Sequence, residues 1–406
     1  MKRIFAVIVL TLFAASIFTA CGTVTQALNS FDKNKIDGGF KDKNAGFAFD
    51  IFKQVNTEDS SQNVFISPLS ISTALAMTYQ GAAGTTREAM AKALQISGLD
   101  SGVLNESYKN LLRYLKQTDG KLQLDINNSI WIREGKSIKK DFLETNKNIF
   151  DAYVTTLDFS QEKAAGTINK WIDDSTKGKI KKMIDPPIPS DIIMYLINAI
   201  YFKGQWSDKF EKDQTSDSKF HEGNGKESDV KMMNRYGTVD FAQNDDYKAV
   251  RLPYGKGRMA MYCILPQEGK DINDFIKSMD KEKWASIKNA ISERKDVHLQ
   301  IPRFNLEYGI KNLNDALTGL GMGEAFSDNA NFSGIGDSIA ISRVLHKAII
   351  EVNEEGSTAA GVTVVEVRET AAALDTPEFI ADRPFVFIIA DDETGAILFM
   401  GKLLSV

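Results

Sequence analysis

Three histidines, His221, His298 and His346, and two cysteines, Cys21 and Cys263, are the residues best suited to metal, nucleophilic or redox chemistry in this 406-residue chain. None of them is spaced for it, because no His, Cys and carboxylate grouping has metal-ligand spacing. GxSxG, Walker and GxGxxG loops are absent. GLGMGE at Gly319 to Glu324 has its third glycine misplaced and reads as a helix end. A hydrolase would have to assemble separated residues such as Ser67 and His346. Cys263 sits in RMAMYCILP and reads as a small buried hydrophobe. One stretch does invite chemistry: GSTAAGVTVVEVRETAAALD, Gly356 to Asp375, ends in small and polar residues that a protease cuts readily. That chemistry belongs to another molecule.

The first half of this stretch alternates like a strand. Ser357, Ala359, Gly361, Thr363, Val365 and Val367 form a face without charge, and the alternate set carries charge only at its far end, in Glu366 and Arg368. In a pleated strand the two sets point to opposite sides, so one face can be buried whole. Immediately upstream, ISRVLHKAIIEV already reads as a buried strand, and Gly356 supplies a flexible joint between the two. Small residues at Ser357, Ala359, Ala360 and Gly361 suit entry between closely spaced strands. A permanent strand or an ordinary loop fits the composition equally well.

The elements that must position this segment form an α+β chain. GFAFDIFKQV, PLSISTALAMTYQGA and TREAMAKAL have apolar residues three and four apart, as helices do, with Ser67 before Pro68 starting one and Thr85 or Thr86 capping another. Period-2 or continuously apolar runs at LQLDINNSIWI, DAYVTTLDF, IIMYLINAIYFKG, VKMMNRYGTVDFA, YKAVRLPY, RMAMYCILP and VHLQIPRFNLEY predict strands. Helices interrupt them at KAAGTINKWIDDSTKGKI, INDFIKSMDKEKWASIKNAI and NLNDALTGLG, without the regular alternation of a doubly wound sheet. No linker or repeat divides the chain, so one domain from residue 45 to 406 is the simplest account.

The N-terminus predicts export. Lys2 and Arg3 precede an apolar run too short to span a bilayer comfortably, so residues 1–20 read as a signal peptide. Ile17 to Cys21 resembles the lipobox of prokaryotic lipoproteins, with Phe18 in place of the usual Leu; the expectation is lipidation at Cys21 and a secreted or cell-surface protein, anchored to the membrane only through that lipid. Residues 21–44 read as a flexible tether. A net charge of −5 argues against nucleic acid as a partner. Lys109, Arg113 and Lys116 recur at helical spacing and read as a solvated face, with a polyanion site as the alternative.

Six ordered motifs carry a resemblance: NVFISPLSISTALAMTYQGAAGTTREAM, INAIYFKGQW, AVRLPYGKGRMAMYCILP, IPRFNLEYGIKNLNDALTGLGM, HKAIIEVNEEGSTAAG and RPFVFIIADDETGAILFMGKLL. Together they resemble a serpin over nearly all of the chain from about residue 45. The resemblance implies a monomeric domain of three β-sheets and about nine helices, without catalytic residues, metal or cofactor, whose exposed reactive-centre loop baits a protease. Once cut, the loop inserts as a new central strand and traps the acyl-enzyme; strand addition of this kind is established for serpins. Carrier or chaperone serpins that do not inhibit are the alternative function. Roughly fifteen extended residues at about 3.3 Å each span about 50 Å. About ten ladder bonds at ~1 kcal/mol net, with valine burial, suggest a gain of about 10 kcal/mol.

By resemblance, Glu354, Gly356, Ser357, Thr358, Ala359, Ala360 and Gly361 form the hinge, with Gly361 and the following Val362 departing from the family's run of alanines. Trp206 and Arg303, with Glu354, map onto the gate where the sheet opens. Ser67, Ser70, Asn198 and His346 map onto the polar shutter beneath it. Counting forward from Glu354 puts the scissile bond at Thr370–Ala371, whereas counting back from PEFIADRPF puts it at Ala373–Leu374. Thr and Ala suit elastase-like or subtilisin-like serine proteases, with cysteine proteases a further class; Arg368 would suit a trypsin-like enzyme.

Overall fold

The computed structural model describes residues 31–117, 120–356 and 376–406. Cys21, the signal peptide and every hinge or scissile residue from Ser357 to Leu374 lie outside them. Fourteen strands follow in chain order: β1 (Val64–Ile66), β2 (Leu122–Arg133), β3 (Tyr153–Leu157), β4 (Met194–Gly204), β5 (Ser216–His221), β6 (Glu227–Gln243), β7 (Tyr247–Tyr254), β8 (Met259–Pro266), β9 (Ser292–Pro302), β10 (Phe304–Asn312), β11 (Arg343–Val352), β12 (Glu378–Ile380), β13 (Phe385–Asp391) and β14 (Ile397–Leu403). Nine α-helices accompany them among the described residues. The α+β expectation holds.

One sheet has five strands in the order β10-β11-β4-β2-β3. The other nine strands form a connected path, β1-β14-β13-β8-β7-β6-β9-β12, with β5 beside β6. The expected second and third sheets are joined here through β6, whose first half pairs β5 and whose last residues pair β7. Its register with β9 shifts at Gly237, where φ is +145°, so the long strand changes direction at a residue that tolerates that backbone.

Burial explains why the central strands read as continuously apolar. The helix Pro68–Tyr79 is buried along its whole length within the main core. On the opposite face of the five-stranded sheet, the helix Ala164–Ser175 presses Ile168 and Ile172 into a separate cluster with Trp131, Tyr195, Ile197 and Leu345. Strand β4 is accordingly buried at every position from Met194 to Ile200 and alternates only beyond it. The sheet is covered on both faces in one half and on one face in the other.

Several local expectations are corrected. The tether read over residues 21–44 is helix from Gly38 onward: Asp37 caps it by accepting from the Phe40 N–H at 2.9 Å, and Ile36 and Phe40 are buried. Gly and Lys neighbours hid that cap and the Phe40, Phe47, Ile51 face. Phe31 packs edge-on to Tyr114 at 5.2 Å, so the chain is already docked there. Thr85 and Thr86 lie inside the helix Gly84–Ala93, and the Thr86 hydroxyl accepts from the Asn331 N–H at 2.8 Å instead of capping. VHLQIPRFNLEY is two strands in different sheets, divided at Arg303. INDFIKSMDKEKWASIKNAI is two helices, because Asp280 caps a new start. The helix Lys140–Phe150 was not anticipated; its buried stripe is only Phe142, Asn146 and Phe150.

Candidate functional site: the junction of two central strands

Strands β4 and β11 run parallel at the centre of the five-stranded sheet, but they pair only from Tyr195–Ala199 to Arg343–Lys347. Past that point neither Ile200–Gly204 nor Ala348–Val352 pairs with the other, although each keeps its outer neighbour, β2 and β10 respectively. The ladder ends beside the last residue of the covering helix, where Asn127, the β2 partner of Ala199, donates to Ser175 O at 2.9 Å. A strand antiparallel to both has backbone partners on each side there.

Immediately after β11 the chain reverses. Asn353 and Gly356 exchange hydrogen bonds of 3.0 and 3.1 Å around Glu354 and Glu355, and Gly356 bridges antiparallel to Gln205 at the end of β4. Gly356 has φ +122°, and a Cβ there would lie 2.2 Å from the Gly204 carbonyl oxygen and 2.7 Å from the Trp206 nitrogen. The glycine is thus more than a flexible joint: no other residue fits the turn.

Both carboxylates of the turn are gripped. Arg303 and Thr215 hydrogen-bond Glu354 Oε1, the hydroxyl at 2.8 Å. Burial would raise the Glu354 carboxyl, but these donors hold it below its ordinary value. Glu355 accepts from Lys209 at 2.6 Å, with Lys212 3.3 Å away, and this pairing outweighs burial to hold it low as well. Trp206 closes the turn from beneath. Its backbone N–H donates to Glu355 O (3.0 Å), its Nε1–H to Asn353 O (2.9 Å), and its ring stacks on Tyr254 at 4.4 Å. The three residues assigned to the gate are brought together.

The four residues assigned to the shutter are also neighbours, all buried. His346 and Asn198 face each other in the β11–β4 register. His346 Nε2 accepts from the Ser67 backbone N–H at 3.1 Å, and the Ser67 hydroxyl donates to Leu398 O at 2.6 Å while accepting from the Ser70 N–H. Asn198 Nδ2 donates to Asn128 Oδ1 at 2.7 Å. Burial pushes His346 down to about 3, so the ring is neutral. Ser70 Oγ, Asn198 Oδ1 and His346 Nδ1 have no hydrogen-bond partner among the described residues. This geometry also removes the hydrolase reading of Ser67 and His346, since the imidazole meets the backbone amide and not the hydroxyl it would have to activate.

Sequence reasoning missed Glu355, Lys209, Lys212, Thr215, Tyr254 and Asn128. Asn128 had a signal, the polar pair Asn127–Asn128 inside an otherwise alternating strand. The lysines had none, because only the reversal at Glu354–Glu355 brings them into reach.

The family model described as serpin (serine protease inhibitor) matches residues 42–406. A serpin-like protein of Methanosarcina mazei is 32% identical, covering 99% of this chain and 98% of that one. The leukocyte elastase inhibitor of Bos taurus is 32% identical over 89% of this chain and 98% of its own. Among solved structures, the thermophilic serpin tengpin in its native state superposes with a TM-score of 0.84 at 32% identity, covering 91% of this chain and 95% of that one.

Proposed function

The chain belongs to the serpin family, and from that membership we propose that it is a suicide-type inhibitor of extracellular serine proteases. The family is one of protease inhibitors rather than enzymes, so the bond-breaking chemistry is the protease's own. The observation that carries the reading is the interrupted ladder between β4 and β11, with the Asn353–Gly356 turn heading the chain antiparallel to both. The residues that follow are the uncharged, small-to-branched alternation from Ser357 to Val367. A strand of that composition gains ladder bonds on both sides, about 10 kcal/mol in all, and holds the acylated protease in place.

Cleavage falls at Thr370–Ala371, with Arg368 and Ala373–Leu374 as the other positions, and the target is elastase-like or subtilisin-like. The protein acts as a monomer, secreted or held at the cell surface through a lipid on Cys21. Radiolabelled fatty acid incorporated at Cys21 tests the anchor, and its absence assigns a secreted form.

The function is tested by incubation with an elastase and a subtilisin. Inhibition predicts an SDS-resistant complex whose mass locates the cut bond. Cleavage with full recovery of protease activity and no rise in melting temperature assigns the protein to the non-inhibitory carriers instead.

A further inference from the structure

Strand β6 has a stretch with no strand on one side. β5 pairs with it as far as Met232 and β7 begins to pair at Asp240, while β9 runs along the opposite edge from Met232 to Phe241. The segment that joins β4 to β5, residues 205–215, lies against this open edge. Two adjacent β6 side chains hold it there. Asn234 Nδ2 donates to Gln214 O at 3.0 Å near the end of the segment, and Arg235 Nη1 donates to Asp208 O at 2.7 Å near its start. The Arg235 guanidinium also lies over the Phe210 ring, 5.3 Å from its centroid.

The same segment supplies much of the grip on the Asn353–Gly356 turn. The Trp206 and Phe210 N–H groups donate to Glu355 O and Glu354 O, each at 3.0 Å. Lys209 reaches the Glu355 carboxylate, and Thr215 reaches that of Glu354. Only the bridges of Gln205 and Trp206 and one 3-10 turn at Lys212–Gln214 order the segment from within. Its donors therefore stay in place only if a neighbouring element braces it.

Arg235 is suited to bracing rather than to charge balance. Its partners are a carbonyl and a ring, and burial pulls the guanidinium below its ordinary value against the pull of Asp208. Keeping a half-buried cation there costs stability. A planar fork on a stem long enough to meet carbonyl and ring together is what an apolar residue could not supply.

We propose that Arg235 is a positioning residue for strand insertion: from β6 it holds residues 205–215 against the Asn353–Gly356 turn, and so sets how readily β4 and β11 part. The inference rests on the inhibitor reading for what that parting leads to. Loss of Arg235 frees Asp208 and the Phe210 ring, so the Trp206 and Phe210 donors leave the turn, and Glu354 and Glu355 keep only their side-chain partners. Arg133 offers a comparison within the same molecule. It makes the same kind of contact, Nε to Ile192 O at 2.7 Å with the guanidinium 5.1 Å from the Phe159 ring, but at the end of β2 opposite the gate.

The test is hydrogen exchange on the full chain, read by mass spectrometry in peptides covering residues 204–212. Arg235→Met keeps the stem and removes the fork, and is expected to speed exchange of the Trp206 and Phe210 amides about tenfold. Arg133→Met should lower the melting temperature by a similar amount while leaving those amides within about twofold of the parent. On native gels at 37 °C, Arg235→Met should convert to inserted or polymeric forms about fivefold faster or more. The double variant with Glu355→Gln should convert no more than about twofold faster than the quicker single variant, because both changes act on one contact. Exchange within twofold of the parent in Arg235→Met, equal acceleration in Arg133→Met, or single effects that multiply in the double variant would overturn the proposal. Failure to trap any protease would remove the inhibitor reading, whereas the exchange comparison decides the role of Arg235 without it.

Discussion

Lys209 Nζ lies 2.6 Å from Glu355 Oε2, tying the turn after β11 to the segment that follows β4. With Lys212 on the other carboxylate oxygen, the pair spans the two strands whose ladder is interrupted, so it resists their separation. Glu355→Gln removes this restraint without adding bulk. The variant should melt about 3 °C lower and convert faster to inserted or polymeric forms on incubation at 37 °C, read on native gels. Unchanged conversion would show that Arg303 and Glu354 carry the restraint alone.

Gly356→Ala sets a methyl group 2.2 Å from the Gly204 oxygen at a backbone angle that side chains avoid. The Asn353–Gly356 turn must then open. Loss of about 1–3 kcal/mol is expected, seen as a lower calorimetric melting temperature, with Arg303 and Lys209 losing their carboxylate partners.

His346 is pushed down to about 3 in the folded protein from an ordinary value of 6.5. The unfolded chain therefore binds this proton first, and stability is full above about pH 6.5 and declines as pH falls towards 3. His346→Asn should flatten that part of the curve. A scan of melting temperature between pH 4 and 7 on both proteins checks the difference, and parallel curves would contradict it.

Lys402 is buried in β14, donating to Asp59 O, Ser60 O and Asn273 Oδ1, and burial pushes its ammonium down to about 8 against the pull of Asp271 and Asp59. The sign is the same: the unfolded chain binds more protons between about pH 8 and 10.5, so stability rises with pH across that window. Lys402→Met should remove the rise.

Cleavage in the 357–375 segment should raise the melting temperature. A gain of about 10 kcal/mol against roughly 2.1 cal/mol/K of unfolding entropy per residue corresponds to about 13 °C. If the segment inserts as proposed, Ser357→Glu would put an unpaired charge in the first inserting position, and should abolish both the rise and the trapping while leaving cleavage intact.

Much of this architecture was legible in the chain. β7, Tyr247–Tyr254, has the limits its alternation predicts, and Ser67 with Pro68 starts its helix as the capping pattern requires. Boundaries failed where a tertiary partner set them: VHLQIPRFNLEY gives no sign of leaving one sheet for another at Arg303, and the helix at Gly38 is held by Ile36, Phe40 and Asp37 against a background that reads as tether. The hinge glycine was visible as a glycine, but not as the one residue that fits against Gly204.

Alternation, capping residues and the order of the apolar runs are local properties, and for that reason residue order alone determined the α+β class, the central strands and the bait-like stretch after Gly356. Where the β4–β11 ladder stops, which lysines hold Glu355, and which face of Ser67 meets His346 depend on chain segments more than a hundred residues apart. Those contacts exist only once burial has drawn the segments together, so only the tertiary structure decided them.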